Sequence, residues 1–128
     1  MVCSSSQTGG DLVPPATAAI VQGTLEMLVL KSLSLAPLHG WGIGQRIGQL
    51  SMGAFEVPQG SLYPALVRMR RRGWIRSSWR LTDNNRRARY YELTVAGRKQ
   101  LVTETAAWER AVTGIREVLN TRQVPDNA

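Results

Sequence analysis

The sequence predicts a mainly α-helical fold of the α+β class: a core of three helices, then a β-hairpin, then one long C-terminal helix. Two observations indicate this order. Apolar residues recur at helical spacing in four segments, and two β-rich runs joined by a polar loop stand between the third and the fourth segment. With 128 residues, 43% of them hydrophobic, the chain suits a single globular domain with an added helix.

The first helix is expected to begin at Thr24, whose side chain can cap it, and to end before Pro37. Apolar side chains of residues 25–35 lie on nearly every side of this helix, so all of its faces must be covered. A domain this small rarely surrounds a helix by itself. We therefore expect one face, which carries Leu28, to contact a second subunit.

The second helix is predicted over residues 39–51, with Ile43, Ile47 and Leu50 on its inner side. Four glycines interrupt it, and each interior glycine costs about 0.5 to 1 kcal/mol relative to alanine. They indicate close packing against a neighbouring backbone. They do not form a nucleotide-binding loop, because Gln45 stands where the pattern GxGxxG needs its last glycine and no strand precedes it.

A short strand is expected at residues 55–57, followed by a third helix that starts at Pro58 or Ser61 and is stopped after Arg72 by Gly73. The opposite side of this helix is basic and aromatic. Its predicted inner stripe consists of Leu62, Leu66 and Met69.

Residues 74–81 and 89–93 are predicted to form a hairpin around a basic, turn-forming loop at residues 82–88. Thr94 is then expected to cap a long helix over residues 95–119. Apolar positions in this helix recur at alternating spacings of four and three, as in a coiled-coil seam between subunits. The seam residues are Leu101, Thr105, Trp108, Val112, Ile115 and Leu119.

Positive charge is concentrated in one stretch of the chain. The net charge is +7, but residues 61–99 carry eleven arginines and lysines against Asp83 and Glu92, whereas the rest of the chain is slightly acidic. A focused basic segment indicates a polyanionic partner. The alternative is a solvated basic face that serves only solubility.

Several classes of function are disfavoured by the composition. Cys3 is the single cysteine, so neither an intramolecular disulfide nor a thiolate metal cluster can form, and the single histidine, His39, can supply no more than one metal ligand or one catalytic base. His39 is expected to cap or pack the second helix. No apolar run reaches membrane-spanning length, and residues 1–19 are expected to be a disordered leader without the features of a secretory signal. We therefore expect a cytoplasmic protein that is not an enzyme and needs no cofactor.

Three helices followed by a hairpin with a basic tip is the order of a winged helix-turn-helix domain, here residues 20–94, with a dimerisation helix at 95–120 and a frayed tail at 121–128. Residues 22–119 resemble the PadR family, named for repressors of phenolic acid decarboxylase, and in particular its short members with one C-terminal helix. The resemblance is carried by residues 23–25 (GTL), 38–43 (LHGWGI), 60–66 (GSLYPAL), 72–75 (RGWI) and 85–97 (NRRARYYELTVAG).

A winged helix places its third helix in the major groove of DNA. Gln59, Ser61 and Tyr63 are then expected near base edges or adjacent phosphates, with Arg68 and Arg71 nearer the backbone. For Tyr63 the alternative is a core tyrosine. The hairpin tip is expected to contact the backbone or the minor groove through Asn84, Asn85, Arg86 and Arg87. Arg89 is expected to serve folding.

The resemblance also implies a homodimer in which the C-terminal helix packs against the partner. The expected dimer contacts are Leu28, Leu101, Trp108, Val112, Ile115 and Leu119. Some relatives admit flat aromatic ligands at that interface, so Trp108 is either a buried interface residue or part of an effector site. The predicted function is a sequence-specific repressor on double-stranded DNA with an inverted-repeat operator. The alternative is a dimeric basic module that binds RNA or a protein partner without recognising a DNA sequence.

Overall fold

The computed structural model describes the backbone of residues 14–124 and the side chains of residues 24–124. Four helices and one three-stranded antiparallel sheet make up this part of the chain, in the sheet order β1-β3-β2. This confirms the predicted α+β winged-helix class. The elements are α1 (Pro14–Leu35), β1 (Leu38–His39), α2 (Gly40–Leu50), α3 (Gln59–Arg71), β2 (Ile75–Leu81), β3 (Arg87–Leu93) and α4 (Val95–Asn120).

Helix α1 begins at Pro14, so the predicted start at Thr24 is wrong, and the helix starts within the range expected to be a disordered leader. Prolines are tolerated in the first helical turn because their missing N–H would have no partner there. The alanines that follow have the highest helix propensity. Residues 1–13, which hold Cys3 and most of the expected leader, and residues 125–128 of the expected tail lie outside the described residues.

The core lies between the helices and the inner face of the sheet. The predicted stripe of α3 is confirmed, because Leu62, Leu66 and Met69 are all buried. Leu50 is the exception on α2: it was expected on the inner side, but it is the last residue of the helix and is 54% exposed. The other core side chains are Leu25, Val29, Leu30, Leu33, Ile43, Ile47, Ala65, Ile75, Tyr91 and Leu93.

The expected strand at residues 55–57 is wrong. Phe55 packs against the core from a loop, and its N–H donates to Ser51 Oγ at 3.1 Å, not to a strand partner. The third strand is instead Leu38–His39, a two-residue segment that pairs with Tyr91 and Tyr90 of β3. A strand of two residues is too short to show the alternation of apolar and polar residues from which strands are predicted.

Helix α3 ends as the sequence predicts. Gly73 adopts a left-handed φ of 78°, its N–H donates to Arg70 O, and the N–H of Trp74 donates to Met69 O, both at 3.0 Å. These two bonds form a Schellman motif, which satisfies the last carbonyl groups of the helix. The chain then turns directly into β2.

The start of α4 is fixed against this turn. The N–H of Thr94 donates to Trp74 O at 3.0 Å, and the Thr94 hydroxyl, which accepts from the N–H of Gly97, lies within donating distance of Gly73 O and Trp74 O. Thr94 therefore caps α4, as predicted. A Cβ atom on Gly97 would collide with the Trp74 carbonyl, so the helix can approach this closely only with glycine at that position.

We expect Gly97→Ala to lower the free energy of unfolding by about 1 to 3 kcal/mol, because the new methyl group meets a backbone carbonyl that cannot rotate away. Gly114 of the same helix is the matched control, since a Cβ there meets no atom within 4 Å. Gly114→Ala should be neutral or stabilise the chain by up to about 1 kcal/mol. Urea unfolding of both variants measures the difference, and equal losses would contradict the close approach.

Candidate nucleic-acid interface

The first turns of α3 present polar side chains to solvent. Gln59, Ser61 and Tyr63 are all exposed, whereas the neighbouring Leu62 and Ala65 are buried and hold the helix on the core. Gln59 and Tyr63, one helical turn apart, therefore lie on the same side of α3, whereas Ser61 is exposed at a different angle around the helix, in line with Arg68.

Tyr63 packs against the start of α2. A Cβ on Gly40 would lie 2.8 Å from the Tyr63 hydroxyl oxygen and 2.9 Å from the ring, so the absence of a side chain at Gly40 makes room for the phenol. Tyr63 is nevertheless 45% exposed. It is thus a surface side chain with a fixed position, not the core tyrosine of the alternative interpretation. Close packing explains this glycine of α2, whereas Gly44 and Gly48 have only ordinary contacts near 3.8 Å.

The C-terminal half of α3 is tied to α1 by a forked ion pair. The two carboxylate oxygens of Glu26 lie 3.2 Å from Arg68 Nε and 3.2 Å from Arg72 Nη1. Arg68, which was expected near the DNA backbone, is therefore already engaged within the domain. Arg71 takes part in no ion pair among the side chains of residues 24–124 and is exposed.

The tip of the wing, the hairpin formed by β2 and β3, is a tight turn. The N–H of Asn85 donates to Thr82 O at 2.9 Å, and the N–H of Thr82 donates to Arg86 O at 2.8 Å. Asn85 has a φ of 62°, a left-handed conformation that asparagine adopts more readily than most residues. Asn85 therefore has a structural role in the turn, whereas Asn84 and Arg86 project from it as exposed side chains.

The two faces of the wing differ in how their charges are compensated. On the outer face, Glu92 lies 3.1 Å from Arg76 Nε and 3.8 Å from Arg80 Nη2. On the inner face, which continues the core side of the sheet, Arg87 and Arg89 lie over the Trp79 ring at 5.0 and 5.1 Å and have no carboxylate partner among residues 24–124.

The inner face of the wing meets α3 at Tyr91. Burial raises the pKa of the Tyr91 hydroxyl, and the positive charges of Arg89 and Arg70 oppose this shift. The hydroxyl is thus within electrostatic reach of both the wing and α3. Tyr91 shares its face of β3 with Arg87 and Arg89 and is buried in the core with Leu62 and Leu66, so the uncompensated arginines of the wing lie on the side of the sheet that faces α3.

His39 caps α2, as predicted: its Nδ1 accepts from the N–H of Gly42 at 3.1 Å. Its ring also stacks on Trp41 and meets the edge of Tyr90. No cluster of three histidine, cysteine, aspartate or glutamate side chains suited to a metal ion occurs in the described part of the chain. Over the same residues, no helix is both long and apolar enough to cross a membrane.

A three-helix core, an exposed basic third helix and a two-stranded wing beside it define a class of protein: the winged helix-turn-helix regulators that bind DNA. The sequence profile of the PadR-like family of transcriptional regulators matches residues 29–103, more than half of the chain. The chain belongs to this family. Its members regulate transcription and are not enzymes, so the predicted class of function is confirmed.

Solved structures agree with this assignment. A PadR-family regulator from Eggerthella lenta is 27% identical, with a TM-score of 0.72 over 88% of this chain and 96% of that one. A transcriptional regulator from Thermoplasma acidophilum is also 27% identical, with a TM-score of 0.68 over 82% of this chain and 99% of that one. A PadR-like regulator from Bacillus cereus, 23% identical, shares the fold with a TM-score of 0.70, over 81% and 99% of the two chains.

A relative in sequence is a 37.1 kDa uncharacterised protein from a Streptomyces fradiae transposon, 36% identical over 85 residues. The match covers 66% of this chain but only 23% of that protein's length. This similarity therefore carries no information about the rest of the larger protein.

Two residues of this surface were missed by the sequence analysis. Glu26 lies 42 and 46 residues from its arginine partners, a separation that no local pattern reveals. Trp79 lies in the predicted hairpin, but no role was assigned to it. The alternation of Trp79 on one strand with Arg87 and Arg89 on the other is the signal that could have identified their shared face.

We expect Glu26→Gln to raise the affinity for duplex DNA about 2- to 10-fold at low salt, because it releases Arg68 and Arg72 to approach phosphates. The free energy of unfolding should fall by about 1 kcal/mol or less, since exposed ion pairs contribute little. Glu117→Gln on α4 changes the net charge equally, away from α3, and is the control. Titration of a labelled duplex measures both, and an equal gain for Glu117→Gln would attribute the effect to net charge.

Proposed function

We propose that this chain is a sequence-specific repressor that binds double-stranded DNA as a homodimer on an inverted-repeat operator. The observation that supports this most directly is the division of charge over the domain. Glu92 pairs with two arginines on the outer face of the wing, whereas Arg87 and Arg89 on the inner face, and Arg70 and Arg71 in the C-terminal half of α3, have no carboxylate partner among residues 24–124.

Base selection is assigned to the start of α3. Gln59, Ser61 and Tyr63 carry the short or planar polar groups that can match hydrogen-bonding patterns in the major groove. Arg68 and Arg71, further along the helix, are assigned to phosphates. Arg68 gives up its ion pair with Glu26 when it binds a phosphate. At the wing, Asn84, Asn85, Arg86 and Arg87 are assigned to the backbone and the minor groove.

The division of labour is tested by alanine variants on two duplexes. Gln59→Ala and Ser61→Ala should each lose about 1 to 3 kcal/mol on the operator and little on scrambled DNA, so the specificity ratio falls. Arg86→Ala should weaken binding to both duplexes alike. The operator is first selected from genomic fragments retained by the protein, and all affinities are measured at one salt concentration.

A specificity ratio that falls with Arg86→Ala, but is kept by Gln59→Ala and Ser61→Ala, would move base selection to the wing. Competition with structured RNA belongs to the same experiment. If RNA displaces the operator as well as duplex DNA does, the alternative of a basic module without DNA sequence recognition replaces this proposal.

The homodimer is inferred from the surface of α4. This helix of 26 residues is about 39 Å long and extends beyond the core. Along the predicted seam, Leu101 still packs against the core of its own domain, but Trp108, Ile115 and Leu119 are 46%, 57% and 76% exposed. Apolar side chains repeated along one helix at this exposure favour burial against a second copy, and the half-buried Leu28 of α1 lies next to the same core.

Val112→Glu combined with Ile115→Glu should convert the dimer to a monomer, because two carboxylates would be buried in the seam without partners. The monomer should lose the operator, since an inverted repeat with half-sites about one helical turn apart needs two linked α3 helices. Sedimentation velocity and operator binding test this. Thr113→Glu, one residue off the seam, is the control. A double variant that stays dimeric and bound would refute the seam.

A cleft of about 280 Å³ between α1 and α4 is proposed to admit a small aromatic effector. Met27 of α1 and Trp108 of α4 both line it, and the exposed indole offers a stacking surface for a flat ring. A second subunit on the seam would close this open cleft into an enclosed site. Without an effector, Trp108 serves as an interface residue. The cleft is lined by Thr24, Met27, Glu104, Ala107, Trp108 and Ala111.

A further inference from the structure

Trp79 is an exposed aromatic residue in the outer half of the wing. It lies on β2 directly opposite Arg89 of β3. Two residues further along β2, Leu81 pairs with Arg87 of β3. Its side chain is 55% exposed, so core packing does not explain a tryptophan at this position. Both arginines instead place their guanidinium groups over the indole, Arg87 at 5.0 Å and Arg89 at 5.1 Å from the ring centre.

This stack lies on the side of the wing that faces α3. Side chains alternate between the two faces of a strand, so Trp79 shares its face with the buried Ile75, and Arg89 shares its face with the buried Tyr91. Arg89 is also close enough to the Tyr91 hydroxyl, beside Tyr63 and Arg70 of α3, to act on it electrostatically. The stack therefore borders the surface that is assigned to DNA above.

The ring has a specific physical effect on the two arginines. Guanidinium groups two residues apart on one strand repel each other, and an arginine free in solvent samples many rotamers that must be lost on binding. The negative face of the indole attracts both cations and restricts both side chains. Neither arginine has a carboxylate partner among the described side chains, so both positive charges stay available to an anion.

We propose that Trp79 is a positioning residue for DNA binding, which holds Arg87 and Arg89 together as a prearranged pair of phosphate contacts. This inference rests on the proposed function. It adds Arg89, expected above to serve folding, to the residues that contact DNA. It also gives the wing a second contact on its inner face, in addition to the tip with Arg86.

The test compares Trp79→Leu with Trp79→Phe in the full chain. Leucine keeps an apolar side chain on the strand but has no aromatic face, whereas phenylalanine keeps one. A cation–π contact at an exposed site changes an equilibrium about 2- to 5-fold, so Trp79→Leu, which removes two such contacts, should weaken binding to duplex DNA about 4- to 25-fold. Trp79→Phe should restore most of that loss. The probe is a labelled duplex of random sequence about 30 base pairs long, enough for two half-sites one helical turn apart.

Two further arms separate positioning from a structural role. In the Arg87→Ala, Arg89→Ala background, Trp79→Leu should cause almost no additional loss, because there is nothing left to position. Trp41→Leu is the matched control: Trp41 is 58% exposed, lies outside the wing, and stacks on His39 away from these arginines. Its replacement should leave duplex affinity unchanged.

An equal loss from Trp79→Leu in both backgrounds, or no rescue by phenylalanine, would overturn the positioning role while leaving DNA binding intact. Failure of the unmodified protein to bind the duplex would instead overturn the proposed function. Thermal unfolding of each variant is measured alongside. A loss of affinity that follows the melting temperature across all variants would assign Trp79 to hairpin stability and also refute the proposal.

Discussion

The carbonyl oxygen of Trp74 is the point at which the DNA-facing part of the chain is joined to its C-terminal helix. It accepts from the backbone N–H of Thr94, lies beside the Thr94 hydroxyl, and is approached so closely by α4 that Gly97 cannot carry a side chain. One residue before it, Gly73 ends α3. The exit of α3, the end of the wing and the start of α4 are therefore fixed in one cluster of backbone groups. In a dimer joined through α4, this cluster sets the distance between the two α3 helices, and with it the spacing of half-sites.

Two glutamates, Glu26 and Glu92, determine which arginines of the domain are already paired. The basic segment is not uniformly available to DNA, because Glu26 holds Arg68 and Arg72 on one side, and Glu92 holds Arg76 and Arg80 on the other. On α3 and the wing, what remains is a band of arginines without a carboxylate partner among residues 24–124: Arg70 and Arg71 of α3, and Arg86, Arg87 and Arg89 of the wing. Since counterion release depends on phosphates that are neutralised and not on total charge, affinity should follow the arginines of this band.

The elements that the sequence predicted well are those whose information is local. The inner stripe of α3, its stop at Gly73 and the cap at Thr94 depend on residues within a few positions of one another. The features that the sequence did not predict depend on contacts between residues far apart in the chain. The strand at Leu38–His39 exists only because β3 offers it a partner some 50 residues later in the chain, and the forks at Glu26 join helices far apart in sequence. For the interface, sequence reasoning could name exposed residues on α3, but not which arginines were already paired.

The ion pairs of Glu26 with Arg68 and Arg72 bear on how an effector in the proposed cleft would change DNA binding. Met27 lines the cleft, and its neighbour on α1, Glu26, holds two arginines of α3, so the cleft and the DNA-facing helix are connected through adjacent residues. The fork is made of exposed ion pairs, each worth about 1 kcal/mol or less. Allosteric coupling free energies are typically about 1 to 3 kcal/mol. If the proposed effector shifts α1, opening or closing this fork would supply part of such a coupling, and in the proposed dimer the rest would come from a change in how the two α4 helices place the α3 helices.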